Sequence, residues 1–220
     1  MNAAPYRLVV LISGRGSNLQ AILDGARRGD PPVELRAVIS NRPRAAGLER
    51  ARQAGIETVV IDHQRYSERA AFDAALCEHI DRHRPDLVVL AGFMRVLGAA
   101  FIERYRGRLV NIHPSLLPKF PGLHTHQRAL QAGEGEHGAS VHFVTVELDG
   151  GPVIVQARVP ILPDDDADTL AARVLVEEHK LYPLAIRWLA EGRVRLQGER
   201  VLFDGRPLRQ PLLLTQEEPP

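Results

Sequence analysis

Short apolar runs alternate with segments of helical periodicity over the first half of the chain, and this alternation limits the possible folds more than any other feature. The apolar runs are rich in Val, Ile and Leu and lie at residues 7–12, 34–40, 58–61, 86–91 and 109–112. The segments between them are predicted to be helices at residues 17–28, 45–54, 67–83 and 99–105. Alternating strands and helices of this kind form a parallel sheet covered by helices on both faces.

The pattern changes after the fifth predicted strand. A loop rich in Pro and Gly occupies residues 114–122, and a short helix is predicted at 125–131. Two β-rich runs at 140–148 and 153–159 are separated by the turn sequence Asp149-Gly150-Gly151-Pro152. We expect these two strands to form an antiparallel extension of the sheet.

The last part of the chain is predicted to hold one long helix and a small hairpin. The helix opens at Thr169 and runs to about Ala190, and the hairpin at 193–208 turns around Asp204 and Gly205. The final residues, 216–220, are expected to be frayed. The predicted fold class is therefore α/β, a Rossmann-like open and mostly parallel sheet with helices on both faces and an antiparallel C-terminal extension.

Length and composition indicate a single domain, 1–220, without a membrane segment. We divide it into a phosphate-binding half at 1–110, a catalytic half at 111–191 and a hairpin with a tail at 192–220. The formal charge of +1 comes without a basic stripe, which argues against a nucleic-acid partner. Apolar runs are too short to span a bilayer and the N-terminus lacks a secretion signal, so a cytoplasmic location is expected.

A glycine turn follows the first predicted strand and directly precedes the first predicted helix. It reads Ser-Gly-Arg-Gly-Ser-Asn at 13–18. Backbone N–H groups at a helix amino end bind anions, so Gly16, Ser17 and Asn18 are candidate phosphate donors. The turn lacks the Gly-Lys-Ser/Thr of a Walker motif, and the second strand lacks the acidic residue that holds a dinucleotide ribose. The alternative is a plain glycine turn in which Ser17 caps the helix.

An amide and an imidazole stand at the end of the fifth strand. Asn111 and His113 are two residues apart, so in an extended chain both side chains point to the same side. The carboxyl ends of parallel strands are where such sheets bind ligands. If the carboxylate of Asp149 lies nearby, it favours the protonated imidazole. The alternative is that these residues only cap a strand and shape a turn.

Two further features of the sequence, a group of histidines and the segment after the fourth strand, each allow more than one interpretation. His124 and His126, with His137 and His142 downstream, suggest a metal site, but no established ligand spacing is present and we expect no metal. The segment 91–97 after the fourth strand is interpreted either as the wall of a flat pocket or as ordinary core.

Four motifs of the chain resemble those of the phosphoribosylglycinamide formyltransferases, the folate-dependent enzymes of purine synthesis. The likeness extends over about 7–189, and 193–220 matches only weakly. The motifs are Ser-Gly-Arg-Gly-Ser-Asn at 13–18, Ala-Gly-Phe-Met-Arg at 91–95, Asn-Ile-His-Pro-Ser-Leu-Leu-Pro at 111–118 and Glu-Leu-Asp-Gly-Gly-Pro at 147–152.

The resemblance implies a role for each matching position. Asn111 and His113 would be the catalytic pair, and Asp149 would raise the basicity of His113. The ribonucleotide would be bound by Gly16, Ser17, Asn18 and Glu178. The folate site would be bordered by Arg69, Met94, Arg95, Val96, Leu97 and Asn111.

The same resemblance implies a reaction and its substrates. The amine of glycinamide ribonucleotide would attack the formyl carbon of the co-substrate 10-formyltetrahydrofolate, and Asn111 with protonated His113 would stabilise the resulting oxyanion. No metal is needed, because the helix terminus and the imidazolium supply positive charge. A monomer or a homodimer is expected.

Three rival functions are compatible with parts of the sequence. A formyltetrahydrofolate deformylase shares the Asn, His and Asp residues but usually has an extra N-terminal domain, for which a first strand at about Arg7 leaves no room. A methionyl-tRNA formyltransferase needs a C-terminal RNA-binding barrel that we do not find. The third rival is a non-catalytic nucleotide-binding module in which His113 is structural.

Overall fold

The computed structural model describes residues 5–214 and consists of eleven strands and six helices within that range. The strands are β1 (Tyr6–Ile12), β2 (Val33–Ser40), β3 (Glu57–Val60), β4 (Leu87–Leu90), β5 (Leu109–His113), β6 (Glu136–Phe143), β7 (Val153–Pro160), β8 (Val194–Gln197), β9 (Arg200–Phe203), β10 (Arg206–Pro207) and β11 (Leu212–Leu213). The helices are α1 (Ser17–Arg28), α2 (Gly47–Gln53), α3 (Arg69–Arg82), α4 (Ala99–Arg104), α5 (Thr125–Gln131) and α6 (Ala167–Ala190). A single 3-10 turn spans His63–Arg65.

Eight strands hydrogen-bond in the order β11-β7-β6-β5-β4-β1-β2-β3. The pairs β1·β2, β1·β4, β2·β3 and β4·β5 are parallel, whereas β6·β7 is antiparallel. The predicted α/β class, with a mostly parallel sheet, helices on both faces and an antiparallel extension, is therefore confirmed. The described chain divides into two compact units, one ending at Asn111 and the other beginning at Ile112. The single-domain organisation stays a prediction.

The core of the first unit lies on β1 and β4, which are covered on both faces. Leu8 to Ile12 and Leu87 to Val89 are completely buried. A parallel strand between two helical layers has no solvent face, which explains why these strands appear in the sequence as unbroken apolar runs. Their polar neighbours can only lie where the strands end.

The antiparallel extension differs from its predicted position. We expected a strand at 140–148 followed by a four-residue turn, but β6 is Glu136–Phe143 and the connection to β7 is longer. Register with β7 sets these bounds, because Glu136 pairs with Pro160 and His142 with Val153. The Phe143 N–H then donates to the Pro152 carbonyl, which closes the ladder.

The long helix begins slightly before its predicted start. The Asp166 carboxylate accepts the Thr169 N–H at 2.8 Å, and the Thr169 hydroxyl accepts the Asp166 N–H at 2.9 Å. This reciprocal capping box places the first helical residue at Ala167. The sequence prediction used Thr169 as the opening residue because the apolar periodicity starts there.

The C-terminal segment forms a separate antiparallel sheet in the order β10-β9-β8. The predicted hairpin at Asp204 and Gly205 joins β9 to β10, and a second turn at Gly198 joins β8 to β9. Strand β11 then pairs in parallel with β7, which the sequence did not predict. The expected fraying at 216–220 lies outside the described residues. No helix within residues 5–214 is long and apolar enough to cross a membrane.

Candidate active site

The glycine turn leads directly into α1, as predicted. Gly16 is the residue before the helix, has a left-handed φ of 72° and, as a glycine, offers no side chain to cap the helix. The alternative in which Ser17 caps the helix is therefore wrong, because Ser17 is the first helical residue. An uncapped amino end leaves first-turn N–H groups directed out of the helix, where an anion is favoured.

Helix α2 holds the glycine turn from one side. The Gly47 N–H donates to the Gly14 carbonyl at 3.0 Å, and the Arg50 Nε donates to the Arg15 carbonyl at 3.0 Å. A side chain on Gly16 would place its Cβ 2.7 Å from the Gly47 Cα. Glycine at position 16 is thus required both by the left-handed backbone and by the close approach of α2.

A pocket of about 250 Å³ opens in front of this turn. Its lining joins the glycine turn to the ends of β2 and β4. It is lined by Ser13, Gly14, Arg15, Gly16, Ser17, Asn18, Arg42, Ala91, Gly92 and Met94. Within residues 5–214, neither the Arg15 nor the Arg42 guanidinium forms an ion pair with a carboxylate. Two cations beside an uncapped helix end make this pocket suitable for a phosphate group.

Ser13, Arg15 and Arg42 are pocket residues that the sequence interpretation missed. Arg15 lies inside the glycine motif itself. Arg42 follows β2, at the strand end where a dinucleotide-binding fold would hold an acidic residue. The positive charge of Arg42 at this strand end could have indicated a phosphate ligand from the sequence alone. The sequence offered no comparable indication for Ser13.

The segment after β4 is partly core and partly surface. Met94 and Val96 are more than half exposed, whereas Leu97 is buried. The Met94 N–H donates to the Ser13 hydroxyl at 2.7 Å, so Met94 lies at the wall of the pocket in front of α1. Both interpretations of this segment therefore hold for different residues.

Two arginines predicted for the folate site belong to the surroundings of one buried carboxylate. Asp73 on α3 is 7% exposed, and burial raises the pKa of its carboxyl group. The Gly98 N–H at 2.7 Å and the positive charges of Arg69 and Arg95 act in the opposite direction on that pKa. Arg69 is the first residue of α3 and is exposed.

Strand β5 presents the predicted amide and imidazole. Asn111 and His113 are alternate residues of the same strand, so both side chains are on one side of it. Asn111 is half-buried and His113 is 6% exposed. A buried imidazole at a strand end can deliver a proton or a hydrogen bond with little competition from water.

The His113 ring has an oxygen atom facing each of its nitrogens. Its Nδ1 lies 3.4 Å from the Asp149 Oδ2, and its Nε2 donates to the Phe120 carbonyl at 2.9 Å. A ring with acceptors on both sides is satisfied fully when both nitrogens carry protons. The structure thus brings together the histidine and the carboxylate that the sequence could not prove to meet.

The Asp149 carboxylate is held by more than His113. Its Oδ2 also accepts the Gly122 N–H at 2.8 Å, and its Oδ1 lies 3.8 Å from the His142 Nε2. The backbone of Asp149 is left-handed, with φ of 52°. Besides its place in the turn, Asp149 thus makes polar contacts with three residues of the second unit.

Three further histidines surround this pair in the second unit. The rings of His126 and His137 meet edge to face at 5.2 Å between centroids. Burial lowers the pKa of His126, His137 and His142, and the value for His137 falls to about 4. His142 donates from Nδ1 to the Phe143 carbonyl. In the part of the chain that the structure describes, no three His, Cys, Asp or Glu side chains form a metal-binding group.

The remaining predicted ligand contact is Glu178. It lies on α6 and is 8% exposed. A buried glutamate on a long helix requires a polar or charged partner. Its predicted contact with the ribonucleotide stays a prediction.

Comparison with known proteins identifies a single family. The family described as "Formyl transferase" matches residues 6–186. A phosphoribosylglycinamide formyltransferase of Escherichia coli is 55% identical over 201 residues, which cover 91% of this chain and 95% of the relative. The human trifunctional purine biosynthetic protein adenosine-3 is 44% identical over 190 residues, which cover 86% of this chain and 19% of that protein.

A solved structure agrees with the sequence relatives. The phosphoribosylglycinamide formyltransferase of Coxiella burnetii superimposes with a TM-score of 0.93 at 51% identity, covering 96% of this chain and 100% of that one. The covered share is larger than residues 7–189, over which the sequence motifs showed a likeness.

The depressed pKa of His137 predicts a loss of stability in acid. The unfolded chain takes up a proton at its ordinary pKa of 6.5, whereas the folded chain does so only at about 4. Stability therefore falls as the pH drops from 6.5 towards 4, by at most about 3 kcal/mol from this group. Urea unfolding of the unmodified protein and of His137→Gln across this range measures the effect. We expect a shallower pH dependence in the variant, and an equally steep one would contradict the assignment.

Proposed function

The chain belongs to the formyl transferase family, and we propose that it transfers the formyl group of 10-formyltetrahydrofolate to the amine of phosphoribosylglycinamide in purine biosynthesis. The observation that carries this proposal is the His113–Asp149 pair at the end of β5. Formyl transfer to an amine develops negative charge on the carbonyl oxygen, and a buried protonated imidazole stabilises such a charge. The identity of 55% to a relative with this activity in its name supports the choice of acceptor.

The acceptor's phosphate fits the pocket in front of α1. The N–H groups of Gly16, Ser17 and Asn18 are suited to hydrogen-bond the phosphate oxygens. Arg15 and Arg42 add positive charge, because the helix end alone offers too little to balance the phosphate. A phosphate monoester carries nearly two negative charges at neutral pH, whereas a helix terminus offers about half a positive charge. Glu178 is proposed to contact the same substrate.

The folate is proposed to lie along the segment that follows β4. Its border consists of Arg69, Met94, Arg95, Val96, Leu97 and Asn111. The exposed apolar surfaces of Met94 and Val96 suit a flat aromatic ring, and the two arginines suit an anionic tail.

The chemical step moves one formyl group and needs no redox change. The amine nitrogen attacks the formyl carbon and the carbonyl oxygen becomes an oxyanion, which accepts hydrogen bonds from the Asn111 amide and the protonated His113. The bond from carbon to the folate nitrogen then breaks. One proton leaves the attacking nitrogen and one ends on the folate nitrogen, so the charge balances. The helix terminus, the arginines and the imidazolium provide the positive charge, and no metal enters this scheme.

Asp149 holds His113 ready for this step. Its carboxylate lies beside Nδ1 and keeps the orientation of the ring. The Nε2 N–H donates to the Phe120 carbonyl in this structure. To donate to the oxyanion instead, Nε2 must give up this hydrogen bond. The exchange replaces a neutral acceptor by a charged one, which is the stronger partner.

The proposal includes a location and a set of partners. We place the protein in the cytoplasm, where small phosphorylated and folate substrates are available. Both partners are small molecules, and a monomer or a homodimer without nucleic acid is proposed.

The first experiment follows the release of tetrahydrofolate from 10-formyltetrahydrofolate with and without glycinamide ribonucleotide. Release that depends on the ribonucleotide, together with a formylated product, is expected. Equal release without it would identify a deformylase, and no release would favour a nucleotide-binding module.

Replacing Asn111 tests the oxyanion role. Asn111→Ala is expected to lower kcat about a hundredfold or more, because a directed donor to the oxyanion is lost. The melting temperature and the affinity for the ribonucleotide should remain those of the unmodified protein. Steady-state kinetics measure the change, and a kcat within about threefold of the original would argue against this role.

Replacing Arg42 tests the phosphate site. Arg42→Gln is expected to raise the KM for the ribonucleotide about tenfold at an unaltered KM for the folate, since one charge-assisted contact to phosphate is removed. Arg44→Gln is the matched control, because Arg44 is exposed and does not line the pocket. An equal KM change in both variants would indicate only a general effect of charge.

A further inference from the structure

One hydroxyl group joins the ends of three neighbouring strands. The Ser13 hydroxyl follows β1, donates to the Asn41 Oδ1 at 2.5 Å and accepts the Met94 N–H at 2.7 Å. The Ser13 N–H donates to the Gly92 carbonyl at 3.1 Å. Asn41 follows β2 and Gly92 follows β4, and the strands are adjacent in the order β4-β1-β2. Ser13 is 3% exposed and Asn41 is fully buried, so water does not compete for these hydrogen bonds.

This hydroxyl belongs to both proposed substrate regions of the first unit. Ser13 lines the phosphate pocket, and Asn41 immediately precedes the pocket residue Arg42. Met94 is the first residue of the segment 94–97 that is proposed to border the folate. The hydrogen bond from Met94 to Ser13 is therefore a direct link between the two regions.

The other end of the folate segment is fixed independently. The Gly98 N–H donates to the Asp73 Oδ2 at 2.7 Å, and Asp73 is held within α3. The C-terminal end of the segment is thus anchored to this helix, and the hydrogen bond from Met94 to Ser13 holds its N-terminal end.

We propose that Ser13 is a positioning residue through which occupation of the phosphate pocket strengthens folate binding. This inference rests on the proposed function and adds a coupling between its two substrates. Phosphate bound at Gly16, Ser17 and Asn18 orders the turn that contains Ser13, and the Ser13 hydroxyl transmits that order to Met94. A ligand that finds the segment already ordered binds more tightly, because less conformational freedom is lost on binding.

Only a hydroxyl of this size makes both hydrogen bonds at this position. It donates one proton and still has lone pairs to accept the Met94 N–H, whereas alanine makes neither bond and a thiol makes both weakly. The loss of one hydrogen bond of ordinary strength corresponds to about a fivefold change in affinity, and the loss of two to about thirtyfold.

The test measures the affinity for tetrahydrofolate by titration calorimetry, with and without saturating glycinamide ribonucleotide. This pair of ligands does not react, so binding is separated from catalysis. In the unmodified protein, we expect the ribonucleotide to tighten tetrahydrofolate binding about fivefold or more. In Ser13→Ala and in Ser13→Cys, the ratio should fall below about twofold, and the KM for the folate should rise by a larger factor than kcat falls.

A matched control and a separate assay make the result decisive. Ser67→Ala makes the same substitution at an exposed serine and should keep the ratio of the unmodified protein. The inference is overturned if the unmodified protein gives a ratio of one, or if either folded Ser13 variant keeps the original ratio. Ribonucleotide-dependent formyl transfer is measured separately on the unmodified protein, so a failed proposal of function is distinguished from a failed proposal of coupling.

Discussion

The burial of β1 and β4 on both faces is the constraint on which the arrangement of the first unit depends. These strands have no solvent side, so their side chains must be apolar and their backbone groups must pair within the sheet. Polar groups can appear only where the strands end. In a parallel sheet those ends coincide, and the chain therefore collects Ser13, Asn41 and the segment after β4 at one edge. The pocket in front of α1 is a consequence of the same geometry, because the turn after β1 is followed at once by the amino end of α1.

Much of this fold could be predicted from the sequence, because each element has a local cause. Apolar runs predicted the five parallel strands, helical periodicity predicted α1 to α4 to within a few residues, and the Asp204-Gly205 turn appeared at its predicted position. The bounds of β6 were wrong because register with β7 sets them, and register is a property of two strands. The pairing of β11 with β7 was missed for the same reason, since two residues carry no periodicity of their own.

The candidate site divides in the same way. Gly16, Asn111 and His113 could be predicted because each lies in a local pattern with a physical reason behind it. Asp149 was predicted to lie near His113 only as a possibility, because the two residues are far apart in the sequence and only the fold brings them together. Ser13 and the buried pair of His126 and His137 became recognisable only once the fold placed distant segments together. Residues whose role depends on the order of strands in the sheet cannot be identified from one amino-acid sequence.

The hydrogen bond between His113 and the Phe120 carbonyl has a consequence for the design of inhibitors. A ligand that accepts a hydrogen bond from the His113 Nε2 must displace the Phe120 carbonyl, which lies 2.9 Å from that nitrogen. The His113 side chain is largely shielded from water. A ketone or an ester, no better an acceptor than the amide it replaces, gains little from that exchange. An anionic or tetrahedral oxygen gains more, because a charged acceptor forms a stronger hydrogen bond than a neutral carbonyl does. Compounds bearing a gem-diol, a phosphinate or a sulfonate at this point should therefore be preferred over neutral carbonyl mimics of the same shape.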